Sequence, residues 1–151
     1  MEAAETLSQS LWSLRDKLDQ LVYTLNAQQL FLASGRVKFI EQAAMEVSRA
    51  AEAVGEMDSI VQQSARSLHA VVGAAPGSSL TELSNLCPEP WRGVLADHRL
   101  ELARLRSDVE QMVRLNKEAT RRVQGSGPSA YSARGEGVNL NANRPRLNTA
   151  G

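Results

Sequence analysis

The chain has 151 residues, 42% of them hydrophobic and only 4% aromatic, and its 17 basic and 17 acidic side chains cancel to a net charge of zero. That length supports one core with a tail and leaves no room for a second domain. A core made of Leu, Val, Ala, Ile and Met suits helix-on-helix packing, and the absence of a net field removes any general attraction to nucleic acid or anionic lipid. The charge is nevertheless uneven, because residues 1–89 carry 6 basic against 11 acidic side chains and residues 90–151 carry 11 against 6. Such halves attract one another, which favours an antiparallel bundle.

After a short acidic lead, Leu7, Leu11, Leu14, Leu18, Leu21, Leu25, Gln28 and Leu32 recur in steps of four and three. This spacing places them on one stripe of a helix over roughly residues 4 to 33, widened by Val22 and Phe31. Ser34-Gly35-Arg36 interrupts the pattern. A left-handed glycine there would end the helix, and a turn into an antiparallel partner is favoured over a kink in one long rod.

A second seam follows through Ile40, Ala44, Val47, Ala51, Val54, Asp58, Val61, Ala65, Leu68 and Val72, with enough alanine for close helix approach. Asp58 falls on that seam, and a charged group there is expected at the bundle edge with its carboxylate in water, the alternative being a buried carboxylate held by a paired charge. Gly73 to Gly77 closes this helix, and Ser79-Leu80-Thr81-Glu82 has capping-box spacing, so a short helix is expected over 80–86.

Cys87-Pro88-Glu89-Pro90 breaks the chain again, and Glu89 sits where a carboxylate favours the positive end of a following helix. From Trp91 the seam runs Leu95, His98, Leu102, Leu105, Val109, Met112, Asn116, Ala119, Val123, more than four heptads of a long helix. Trp91 and Trp12 are expected to plug opposite ends of the bundle seam. From Gly125 the composition turns to Gly, Ser, Asn, Pro and Arg, too poor in apolar side chains to offset ordering entropy. The expected architecture is therefore all-α, an elongated antiparallel hairpin or bundle over 1–124 with a disordered tail over 125–151.

Catalysis finds no support. There is no H-E-x-x-H, G-x-S-x-G or G-x-x-x-x-G-K-[ST], and two histidines with one cysteine are too few for an ordinary zinc site. His98 reads as a core histidine with a hydrogen-bonded ring, since neither it nor His69 stands in the H-x-x-K-G context of phosphotransfer bundles. Cys87 reads as a small apolar filler; alone, it forms no internal disulfide. With no signal-like N-terminus and no apolar run near 18 residues, the chain reads as soluble and cytosolic. No cofactor and no nucleic-acid or membrane partner is expected.

Two stretches invite partners. Val109, Met112, Val113, Asn116, Ala119 and Val123 form an apolar strip with a polar residue set into it, next to the tail; it is either core or a groove for a foreign helix. Tyr131 is the only aromatic of the tail and is either incidental or the anchor of a docking motif.

Taken together, Leu11-Trp12 through Leu21, Gln29-Leu30-Phe31-Leu32-Ala33-Ser34-Gly35-Arg36, Glu46-Val47, Pro88-Glu89-Pro90-Trp91, Asp97-His98-Arg99, Leu115-Asn116, and Tyr131 with Gly135 resemble the FlgN family of flagellar export chaperones, in its actinobacterial form. The resemblance covers nearly the whole chain and lies in the order and spacing of short motifs. It implies a carrier that holds the C-terminal helices of hook-associated (hook-filament junction) proteins and delivers them to the flagellar type III export gate. By motif position it assigns client binding to Val109–Val123 and gate docking to Tyr131 and Gly135. The Asn-rich stretch from Gly137 to Gly151 departs from the family pattern. Two other readings are a structural bundle without a client and a small secreted hairpin of the W-x-G type, suggested by Trp91-Arg92-Gly93; the latter places its motif between two comparable helices, whereas two long helices precede it here.

Overall fold

The computed structural model describes residues 1–125 and is all-α. Three long helices, α1 (Glu2–Ser34), α2 (Val37–Val72) and α4 (Trp91–Gly125), are joined by a two-residue turn and by a connection that contains the short α3 (Leu80–Leu86). At about 1.5 Å per residue each long helix measures roughly 50 Å.

The leucine row of α1 holds the assembly together. Leu7, Leu11, Leu14, Leu18, Leu21 and Leu25 are all buried in a core shared with Val47, Val54, Val61 and Leu68 of α2 and Leu95, Leu102, Leu105 and Val109 of α4. Ser10 Oγ lies 3.0 Å from Ser64 Oγ, so α2 runs antiparallel to α1. Ser8 meets His98 and Leu25 meets Asn116, so α4 runs parallel to α1. α2 and α4 flank α1, yet no Cα of one comes within 8 Å of a Cα of the other among the described residues.

Gly35 settles the choice between turn and kink. Its φ of 66° and ψ of 20° are left-handed and end α1, and Arg36 alone separates it from α2. The Phe31 and Phe39 rings face each other across this tip at 5.3 Å. At the opposite end, Gly73 (φ 71°) closes α2, with Ala74 donating its N–H to His69 O at 3.0 Å. The expected capping box is present in its forward half: Ser79 Oγ accepts from Glu82 N at 3.1 Å and opens α3. Leu80, Leu83 and Cys87 are buried in the base of the core, Cys87 as the filler expected of it. Glu89 Oε2 accepts from Gly93 N at 3.4 Å, as its place before α4 suggests.

Two expectations fail. Trp12 is no plug: it is 52% exposed on the flank of α1. Its place is taken by leucine, because the α1 stripe is already filled by residues three and four apart, leaving position 12 outside it. Trp91 is partly buried against the basal core. Asp58 is not at a watered edge; it is 5% exposed, for reasons taken up below.

Gly35 meets nothing within 4 Å of where a Cβ would stand, so Gly35→Ala introduces backbone strain without a clash. We expect it to lower stability by about 1 kcal/mol. Gly93, inside α4 with only Glu89 Oε2 at 3.6 Å, should gain about 0.5 kcal/mol as alanine. The urea midpoints of the two variants, moving in opposite directions, check this.

Candidate functional site

The strip expected on α4 is divided by the fold. Val109 and Asn116 point into the bundle and are buried, together with Thr120 one turn further on. Of the two readings open for the strip, core packing holds at these positions: α1, running parallel, covers them. Met112 and Val113 are partly buried against the core, and Ala119 and Val123 are half-buried.

Asn116 is fixed by α1. Its Nδ2 donates to Leu25 O at 2.8 Å and to Gln28 Oε1 at 3.0 Å, while Thr120 Oγ1 donates to Asn116 O at 2.7 Å. Gln28, Asn116 and Thr120 form a polar layer across the bundle. The continuous core ends beside it; Leu32, Ile40, Ala43 and Ala44 are buried nearer the tip but lie outside that core. Leu25, Gln28, Val47, Val113, Asn116, Lys117 and Thr120 line a small cavity of about 20 Å³ where the three helices meet. That is room for about one water-sized guest.

What stays accessible is an edge of α4. Met112, Leu115, Ala119 and Val123 stand at i, i+3, i+7 and i+11 and so share one side of the helix. Leu115 is 38% exposed and was missed by reading the seam as a strict a/d row, although its spacing of three from Met112 was there to see. Arg122, seven residues on from Leu115, borders this edge with a positive charge and pairs with Glu118 at 3.1 Å. Tyr131 and Gly135, the gate-docking positions expected from the resemblance, lie outside the described residues, as do all of residues 126–151, while Gly125, expected in the tail, is the last residue of α4.

Two other polar groups in the core have partners. His98, 1% exposed, has Nε2 at 3.0 Å from Ser8 Oγ and Nδ1 at 3.2 Å from Arg15 Nη1. A guanidinium only donates, so Nδ1 accepts and the proton sits on Nε2, which donates to Ser8. Arg15 also reaches Asp97 Oδ2 at 3.4 Å and lies 4.0 Å over the Trp12 ring, whose edge-on contact with His98 is 5.0 Å between centroids. Burial, reinforced by Arg15, pulls the imidazole down to about 4. His98 is thus the neutral core histidine its position suggested.

Asp58, expected in water, is held between α2 and α4. Its Oδ1 lies 3.5 Å from Arg106 Nη2, and its Oδ2 is buried without a hydrogen-bond partner. Burial pushes the carboxyl up to about 7 even though Arg106 pulls the other way. No group of three or more His, Cys, Asp or Glu side chains that could hold a metal occurs among the described residues, and no described helix is long and apolar enough to cross a membrane.

Asn116→Asp would set a carboxylate against a carbonyl and an amide oxygen in a buried layer. We expect a loss of roughly 3 kcal/mol, larger than the roughly 2 kcal/mol of Asn116→Ala, in denaturant titrations at pH 7. His98 binds its proton more weakly folded than unfolded, so its contribution is present above pH 6.5 and is lost as pH falls towards about 4. Imidazole NMR shifts should show His98 still neutral at pH 5.5.

Comparison with protein-family models, with curated proteins and with solved structures finds no match for this chain.

Proposed function

We propose that this protein is an export chaperone of the FlgN type, holding an amphipathic C-terminal helix of a hook-associated protein and handing it to the flagellar type III export gate from the cytoplasm. The observation that carries the reading is the edge of α4 on which Met112, Leu115, Ala119 and Val123 stay partly open beside the buried core. A helix laid along it would bury side chains at the spacing that helix-in-groove recognition uses, and methionine lends the surface adaptability. The family resemblance independently directs client binding to this part of α4 and gate docking to Tyr131 and Gly135. Holding a helix and passing it on requires no bond-making chemistry, in keeping with a sequence without a catalytic motif.

Titration calorimetry with C-terminal peptides of hook-associated proteins should give binding with a negative heat-capacity change. Leu115→Asp should weaken binding while leaving the urea midpoint nearly unchanged, because that side chain reaches solvent, whereas Met112→Asp would also lower the midpoint, since Met112 packs partly against the core. Val109→Asp is unsuitable, since Val109 belongs to the core. Tyr131→Ala should retain the peptide and weaken docking to the gate. No binding at high micromolar peptide would leave a client-free structural bundle.

A further inference from the structure

The interface between α2 and α4 differs from the two that α1 makes. No Cα of α2 comes within 8 Å of a Cα of α4 among the described residues, the small cavity lies where both meet α1, and the Asp58–Arg106 ion pair crosses the seam. That pair is poor: one contact at 3.5 Å and a second carboxylate oxygen with nothing to accept from. A carboxylate so placed is stabilised less than it would be in water, because desolvation outweighs one long contact.

We propose that the bundle opens along the α2–α4 seam, that ionisation of Asp58 drives the opening, and that the opened seam offers the client helix an apolar cleft on the α2 side of α4, apart from the Met112–Leu115 edge. The last part rests on the function proposed above. Val113 and Asn116 of the predicted strip already line the seam cavity, facing Val47 of α2. Opening at Asp58 would continue that cleft along the apolar inner faces of both helices.

The direction follows from linkage. In the closed bundle Asp58 holds its proton up to about 7, whereas an open, hydrated carboxyl loses it near 3.8. Between these values each rising pH unit favours the open form by up to about tenfold, and above about 7 the bias levels off. Facing Asp58, Arg106 of α4 is the charge that opposes this bias. Lys17 of α1 stands half-buried near the same height by the helix register, and the α2 neighbours Val54, Val61 and Gln62 carry no charge. His98 titrates in an overlapping window with the opposite sign, so global stability blends the two effects and a local measurement is required.

Amide hydrogen exchange of the full chain, corrected for intrinsic rates, tests this between pH 5 and 8. Segments 54–65 and 102–113 should lose protection by tenfold or more from pH 5 to 7 and change little beyond 7.5. Asp58→Asn, which mimics the protonated side chain, should stay protected throughout. Unchanged protection in the parent protein, or the same loss in Asp58→Asn, overturns the proposal. The hook-associated peptide should bind more tightly at pH 7.5 than at pH 5 in the parent and equally at both in Asp58→Asn. Binding to a seam that does not respond to pH defeats this inference alone; a responsive seam that binds no peptide defeats the client reading alone.

Discussion

Six leucines of α1, from Leu7 to Leu25, are buried against two helices at once, and everything else in the fold is arranged around that double contact. A fully buried leucine contributes about 1.5–3 kcal/mol, so the row outweighs any polar interaction in the molecule. Because α1 supplies the floor for both neighbours, α2 and α4 have no need to pack closely on one another. The less intimate α2–α4 seam, with its cavity and its long ion pair, is a consequence of this division.

Polar groups within the core fix the register that a uniform leucine seam leaves free. Ser8 with His98, Ser10 with Ser64, and Gln28 with Asn116 each tie α1 to one neighbour at one height. A slip by one turn would break all three and leave buried donors and acceptors unpaired. The surface ion pairs along α4, Arg104 with Glu101 and Asp108 and Arg122 with Glu118, add little beyond local helix support.

Much of this was legible from residue spacing. The leucine stripe, the glycine stop at 35, the serine cap at 79 and the long helix from Trp91 each rest on local rules that tertiary context did not overturn. The misreadings concern groups whose fate depends on a neighbour. Asp58 lies on its seam as spacing indicates, but burial was decided by Arg106, 48 residues away, which no local pattern connects to it. Trp12 is outside its stripe by one position and finds Arg15 and His98 instead of the core. The α4 strip was recognised as amphipathic, yet which half faces inward depended on α1 running parallel to α4. Leu115 was overlooked because a strict heptad register assigns it to solvent.

The two-residue turn at Gly35 and the end of α4 at Gly125 lie at the same pole, given that position n of α4 stands beside position n − 90 of α1 in the Ser8–His98 contact. The α3 connection occupies the other pole. An attachment carried by the chain after Gly125 therefore sets out from the Gly35 apex, about 50 Å from the α3 foot. Two large assemblies, one gripping the apex and one gripping the foot, would have space to hold the rod simultaneously without colliding.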